Sequence, residues 1–340
     1  MGEGETMGKG RNLITDIAGI RVGNAHDETL ASGVTVALFD GPTTASWIAV
    51  GGGPAARDTG CLEPDTVAEG VDAIVLSGGS GFGLDAAGGV QAWLREHERG
   101  FLVGSVRVPL VPQAICFDLL NGGDKDWGRY PPYRELGYAA CEAVSEDFAL
   151  GTVGGGYGAT TVNLKGGLGS ASAVTANGFT VGAMVVVNAI GSAVIDSGPH
   201  FWAGAYEVEA EFGGLGLPSH VRPEMRPMHW KGGPQPATTI ALVATDAILD
   251  KAMAKRLAMA AQTGLAKGLR LSHALFDGDT VFAAATGRKP LVDRYNDIIE
   301  IGATAGDCLA RAIARGVYEA TALPFPECPP AWRDKFGRSD

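Results

Sequence analysis

Two adjacent hydroxyls, Thr238 and Thr239, stand where a loop hands over to a β-rich run. The loop, Gly232-Gly233-Pro234-Gln235-Pro236, breaks any regular element, and the small Ala237 follows it. A chain that cut itself between Ala237 and Thr238 would expose a hydroxyl and a free α-amine on one residue. Such a threonine needs no separate histidine, because an α-amine titrating near ~8 can take the hydroxyl proton at neutral pH. Taken alone, the junction also matches an ordinary loop-to-strand boundary, since threonine is common in strands.

Further along, Asp277-Gly278-Asp279 reads as a tight hairpin turn carrying two carboxylates, followed by the β-run 280–283. Two acids flanking one glycine can orient a nucleophile, hold an ammonium or bind a cation. A calcium loop needs further acids at fixed spacing, and they are absent. The 6 histidines contain no i,i+4 pair and no HExxH, and His273 reads as a surface or packing residue. The 5 cysteines are scattered with no CxxC, so neither a zinc site nor a disulfide framework is expected. Reduced thiols point to a cytoplasmic protein. The stretch Ser77-Gly78-Gly79-Ser80-Gly81-Phe82-Gly83-Leu84 looks like a phosphate loop but lacks both the GxGxxG register and a Walker lysine. It is expected to pack a strand closely on a helix near the site. No metal and no cofactor are expected.

These groups need a scaffold. The chain of 340 residues is 46% hydrophobic and only 19% charged, enough to bury a large core. Its net charge of −11, with no basic cluster, argues against nucleic acid and anionic membranes as partners. The apolar run 181–195 is too short for a membrane span and is broken by Asn188, Gly191 and Ser192, so it reads as buried strand. Strands are expected over 34–39, 47–50, 73–76, 181–187 and 239–244, and helices over 84–98, 134–144, 251–267 and 297–321. Asp246 and Asp250 offer capping and first-turn charge to the third helix. Residues 1–11 are expected to be a flexible tail, 12–322 one catalytic domain, and the Pro-rich 323–340 an irregular surface tail. The loose alternation of strands and helices points to α/β layers.

Several blocks, in order, resemble the self-processing aminopeptidases, which include D-aminopeptidase, β-peptidyl aminopeptidases and the nylon-oligomer hydrolase. They are residues 13–23, 32–36, the glycine-rich 75–85, Gly154-Gly155-Gly156-Tyr157-Gly158, Lys165-Gly166-Gly167-Leu168-Gly169, Val187-Asn188, Ala237-Thr238-Thr239-Ile240 and Asp277-Gly278-Asp279. The resemblance implies an α/β fold of four layers, an αββα sandwich, and a homo-oligomer. It implies cleavage between Ala237 and Thr238, with Thr238 as nucleophile and new N-terminus. Lys165 then supplies positive charge near it, Asn188 donates to the oxyanion, and Asp277 and Asp279 orient the amine and hydroxyl. The substrate is a small peptide or amide. An aminopeptidase or β-peptidyl aminopeptidase is favoured. Hydrolysis of linear amides such as 6-aminohexanoate oligomers is the alternative, and acyl transfer of the ornithine acetyltransferase kind comes after it.

The chain departs from the pattern in two places. Ala237 replaces the asparagine that the nylon-oligomer hydrolase has before the scissile bond. Ile115-Cys116-Phe117 stands where aminopeptidase members have a glutamate and a tyrosine. An apolar wall cannot pair a substrate ammonium. Unless another acid such as Asp58, Glu63 or Asp85 takes over, preference for a free N-terminus is expected to be weak. Self-cleavage would divide the 35.0 kDa chain into fragments 1–237 and 238–340 of about 24 and about 11 kDa by length share, and Thr238→Ala, lacking the attacking hydroxyl, should leave one full-length band on a denaturing gel. A new N-terminus at Thr239 by mass analysis would refute the assignment.

Overall fold

The computed structural model describes residues 10–225, 228–232 and 237–337. The strands are β1 (Ile20–Asp27), β2 (Ser32–Ala49), β3 (Ala56–Arg57), β4 (Val71–Ser77), β5 (Phe101–Val103), β6 (Val106–Val108), β7 (Gln113–Ile115), β8 (Leu168–Val174), β9 (Thr180–Asn188), β10 (Thr238–Ala247) and β11 (Thr280–Lys289). The helices are α1 (Ser80–Gly83), α2 (Ala86–Glu96), α3 (Tyr133–Glu142), α4 (Lys251–Ala261), α5 (Thr263–Gly268), α6 (Arg294–Tyr318) and α7 (Trp332–Phe336).

The order across the sheet is β3-β7-β4-β2-β11-β10-β9-β8, with β1 also paired to β2, while β5 and β6 form a separate hairpin. β2 serves two layers. Its first half pairs with β1 and β4, and Thr44–Ala49 pairs antiparallel with β11. The pairing with β4 shifts register between Leu38 and Thr43, across Gly41 and Pro42, where proline has no N–H to give to a ladder.

The alternation of side chains along each strand shows the layers. Ile240, Leu242 and Ala244 of β10 share one buried cluster with Met184 and Val186 of β9, Phe282 and Ala284 of β11, Ile74 and Leu76 of β4, and Ala37 and Phe39 of β2. That cluster is the space between the two β-layers. The other faces of β9, β10 and β11, with Val185, Val243 and Val281, pack against Leu257, Leu265, Leu309 and Ile313 of α4, α5 and α6. Val34, Val36, Ala73 and Val75 pack against Val90, Leu94 and Ala140 of α2 and α3. The fold is therefore α/β in four layers, an αββα sandwich, as expected. Strands covered on both sides must be apolar throughout, which explains why every residue of β10 is buried.

The strands expected over 34–39 and 47–50 are one continuous β2. The helix expected over 251–267 is two, α4 and α5, meeting at Gln262. Asp250 caps α4 by accepting from the Met253 N–H at 2.7 Å. The Asp277-Gly278-Asp279 segment is not a hairpin turn. It leads into β11, which runs parallel to β10, and Ala237 and Asp277 form a parallel bridge ahead of the two strands. Of the expected N-terminal tail, residues 1–9 lie outside the described residues. Arg11 is placed, and its backbone N–H donates to Asp16 at 2.8 Å. The C-terminal segment is only partly the irregular surface tail expected. It ends in α7, where Trp332 is buried, 5.0 Å from the Tyr318 ring and 5.7 Å from Phe201. The Pro330 carbonyl on the way accepts from the Lys165 N–H at 2.9 Å.

Close approach of α6 to β8 depends on glycine. A β-carbon on Gly169 would lie 1.8 Å from the Ala312 carbonyl oxygen and 2.8 Å from the Gly316 nitrogen. Neither backbone can move without separating helix and sheet. Gly169→Ala should lower unfolding stability by about 3 kcal/mol, the scale of overpacking a tight core, measured by urea denaturation. An unchanged midpoint would mean the contact is softer than the backbone separation implies.

Candidate active site

Thr238 opens β10, and its register partner on β9 is Asn188. Both belong to the series of even-numbered residues that faces the space between the β-layers, so both stand at the mouth of that core. The Thr238 side chain lies back over the peptide bond before it. Its Oγ1 donates to the Ala237 carbonyl oxygen at 2.5 Å. The same carbonyl oxygen accepts from the Gly278 N–H at 2.9 Å, and the Ala237 N–H donates to the Phe276 carbonyl at 3.1 Å. The Ala237–Thr238 bond is thus gripped on its carbonyl side by the strand-like lead into β11. A β-carbon on Gly278 would come within 2.7 Å of Thr238 Oγ1 and 2.9 Å of the Gly53 carbonyl oxygen, so this position must be glycine.

The two acids flank that glycine and are both buried. Asp279 Oδ1 accepts from the Thr239 N–H at 2.9 Å, and Oδ2 accepts from the His273 N–H at 2.8 Å, with His273 Nδ1 3.1 Å away. His273 therefore supports Asp279 rather than serving only at the surface or in packing. Asp277 Oδ1 is buried without a hydrogen-bond partner. Burial, then the neighbouring Asp279 charge, push the Asp277 carboxyl up to about 8. Burial beside a second carboxylate thus favours the protonated form of Asp277.

Asn188 is engaged through both side-chain atoms. Its Nδ2 donates to the Phe117 carbonyl at 2.8 Å, and its Oδ1 accepts from the Thr160 N–H at 3.0 Å and from Lys231 Nζ at 3.2 Å. Lys165 is completely buried and donates to three carbonyls, those of Gly156, Ala159 and Gly166, at 3.1, 2.8 and 2.9 Å. Burial draws its ammonium down to about 7. Its three protons close the 156–166 loop that also presents Thr160 to Asn188. Its role in this state is to fix that loop. Ile115 and Cys116 are buried as the sequence implied, and it is the backbone of Phe117 that reaches the site. Glu63 is held by Lys255 and by Trp47 Nε1, and Asp58 lies 3.5 Å from Arg57.

Four contributors leave little trace in the sequence. In the sequence Gly278 reads as a turn residue, whereas its N–H holds the Ala237 carbonyl. Gly51 and Gly53 clasp the 274–279 segment, with the Gly53 N–H donating to the Asp277 carbonyl at 2.8 Å. Lys231, in the loop before the junction, is the fourth. Its Nζ donates to the Thr160 carbonyl at 2.9 Å as well as to Asn188. The signal for Lys231 was its place, a cation just ahead of Gly232-Gly233-Pro234. A cavity of about 430 Å³ opens beside it, lined by Phe117, Thr160, Trp230 and Lys231 among others. Among the described residues no three His, Cys, Asp or Glu side chains gather as a metal would need.

The model of peptidase family S58 matches residues 12–327. An aminopeptidase of Mycobacterium tuberculosis, itself uncharacterized, is 40% identical over 96% of this chain and 98% of its own length. The 6-aminohexanoate-oligomer endohydrolase of Paenarthrobacter ureafaciens is 26% identical over 82% of this chain and 76% of that one. The fold is shared with the Burkholderia sp. beta-aminopeptidase, with a TM-score of 0.68 at 23% identity over 96% and 92% of the two chains. The L-aminopeptidase D-Ala-esterase/amidase of Ochrobactrum anthropi, a variant of the Ntn hydrolase fold, also gives 0.68, at 18% identity over 97% and 95%. The gripped Ala237–Thr238 junction, the paired carboxyls and the four-layer frame thus sit in a chain that belongs to peptidase family S58.

Proposed function

We propose that this peptidase cuts its own chain before Thr238 and then hydrolyses amides with that threonine as its N-terminal nucleophile. The observation that carries the reading is the Thr238 hydroxyl lying across the Ala237 carbonyl while the Gly278 N–H holds that carbonyl's oxygen. Thr238 Oγ1 adds to the Ala237 carbonyl carbon, and its proton leaves for the peptide nitrogen. Negative charge grows on the oxygen already facing Gly278, a preorganised donor of the kind that stabilises such intermediates. The C–N bond breaks, leaving an ester on Thr238 and a free α-amine. Water hydrolyses the ester to the Ala237 carboxylate and the Thr238 hydroxyl.

In the processed enzyme the α-amine serves as base for attack on a substrate amide. Asp279 fixes the start of β10 through the Thr239 N–H, and Asp277 stands beside it. Asn188, opposite Thr238, is the candidate donor to the substrate oxyanion once its precursor contacts change, and Lys165 keeps the surrounding loop in place. Aminopeptidase or β-peptidyl aminopeptidase action is the favoured activity. The similarity to the 6-aminohexanoate-oligomer endohydrolase supports hydrolysis of linear ω-amino amides as the second reading.

If the acids position the nucleophile, Asp279→Asn should lower turnover by roughly 10²-fold in chains that have been cleaved, on the scale of positioned acid–base groups. Wild-type kcat in that variant would refute the role. A second test uses the raised Asp277 carboxyl. The folded chain keeps this proton up to about 8, whereas an unfolded aspartate loses it near ~3.9. The folded state therefore binds more protons within that window, and stability falls as pH rises through it. In an uncleaved Thr238→Ala background, the chain with Asp277 should lose about 2 kcal/mol, or about 5 °C in Tm, more between pH 5 and pH 8 than the chain with Asp277→Asn. Parallel Tm–pH curves would show that the carboxyl is not held protonated.

A further inference from the structure

Lys231 is an unusual side chain to find beside a nucleophile, because it belongs to the segment ahead of the bond to be cut. Its backbone is tied down, with the Lys231 N–H donating to the Ile190 carbonyl at 3.0 Å. Its ammonium meets two acceptors, the Thr160 carbonyl at 2.9 Å and Asn188 Oδ1 at 3.2 Å. Burial lowers its proton affinity, to about 8, while Cys116, Asp277 and Asp118 favour the charge. An ammonium enters such a place only where oxygens replace its water. Asn188 is the register partner of Thr238, and paired residues of this kind have Cβ atoms about 5 Å apart. The cation therefore sits a short acyl chain away from the nucleophile. The 430 Å³ cavity next to it is walled on one side by Trp230, Lys231 and Gly232 of the same segment.

We propose that Lys231 stands in for a substrate: the Thr160 carbonyl and the Asn188 side-chain oxygen form a subsite for a primary ammonium, filled in the uncleaved chain by Lys231 and in the processed enzyme by the free amine of a short amino-acyl amide. The proposal rests on the reading of Thr238 as nucleophile, since cleavage is what frees the segment carrying Lys231. It reverses the weak preference for a free amine that the apolar Ile115-Cys116-Phe117 implies. The acceptors are a backbone carbonyl and an amide oxygen, and neither is visible as an acid in the sequence.

The test begins with binding in chains that cannot be cleaved. Lys231→Ala removes the atoms of n-propylammonium, so that cation is the probe and n-propanol its neutral control. By calorimetry, Thr238→Ala/Lys231→Ala should bind n-propylammonium about tenfold or more tighter than n-propanol, and also about tenfold or more tighter than Thr238→Ala with Lys231 in place, as lost charged hydrogen bonds are restored. Equal binding of amine and alcohol, or of amine by both chains, would overturn the proposal. The second measurement needs no variant. In processed wild type, n-propylammonium should compete with substrate while n-propanol does not, and N-acetylation of a short amino-acyl amide should lower kcat/KM by about tenfold or more, mostly through KM. Indifference to acetylation would overturn it as well. A wild-type chain that stays intact would refute the Thr238 reading, while the calorimetric comparison would still decide the ammonium subsite.

Discussion

A hydroxyl can attack the carbonyl beside it only if both are held against the extended geometry a strand prefers, and here the restraint is backbone pairing between two strand entrances. Ala237 and Asp277 bridge in parallel, the Gly278 N–H takes the Ala237 carbonyl, and the Thr239 N–H is taken by Asp279. The junction is thus fixed on both sides of its central bond. That fixation depends on neighbours. Gly51 lies so close to the Asp277 carbonyl that a β-carbon there would sit 2.2 Å from its oxygen. Gly53 donates to the same carbonyl, and the wholly buried β10 behind the junction gives it a rigid floor. Few of these restraints involve side chains that a survey of reactive residues would select.

The same region concentrates buried charge. Lys165 is satisfied three times over by carbonyls of its own loop. Asp118, wholly buried and raised in pKa by that burial, accepts from the Ser32 hydroxyl at 2.6 Å and from the Gly79 N–H at 2.7 Å. This explains the glycine-rich turn better than a phosphate would. A β-carbon on Gly78 would strike the Asp118 carboxyl, and one on Gly79 the Tyr133 ring. Burying unpaired charge costs several kcal/mol per ion. Among these groups only Asp277 keeps an oxygen with no partner, and it is the one beside the Ala237–Thr238 junction. A buried polar atom left open next to a reactive bond is where strain and chemistry tend to coincide.

Much of this was legible in the residues because the relevant signals are local. The loop–Ala237–Thr238 junction, the doubled acids and the long apolar runs of β9 and β10 stand out, since strands covered on both faces must be apolar throughout. β8 was missed, because Leu168–Val174 is mostly glycine, serine and alanine. Its burial comes from the close approach of α6, not from its own hydrophobicity. The Asp277–Asp279 segment was misread as a hairpin because its partner, the entrance to β10, lies some forty residues away, beyond the reach of local turn signals. Backbone donors and acceptors, Gly278, Thr160 and Phe117, leave no residue-type trace at all. Where the resemblance points to a glutamate and a tyrosine near 115–117, the chain brings the Phe117 carbonyl to Asn188.

The proposed cut would also change the electrostatics of the site that performs it. Before cleavage the Thr238 nitrogen is an uncharged amide, and Lys231 is a cation that meets both the Asp277 charge and Asn188. Afterwards an α-amine appears at the head of β10, in register with Asn188 and close to the two carboxyls. A positive charge placed there favours the ionised form of its acidic neighbours, so the proton that Asp277 retains in the intact chain would be released. Lys231 loses its covalent tether to Thr238 in the same event. The precursor would thus balance one buried carboxyl with one borrowed lysine, and cleavage would replace that lysine with the amine the chemistry needs. A site built this way does not have to fold twice. In such a site the frame of β9, β10 and β11 would stay fixed while charge moved from the linker to the new N-terminus.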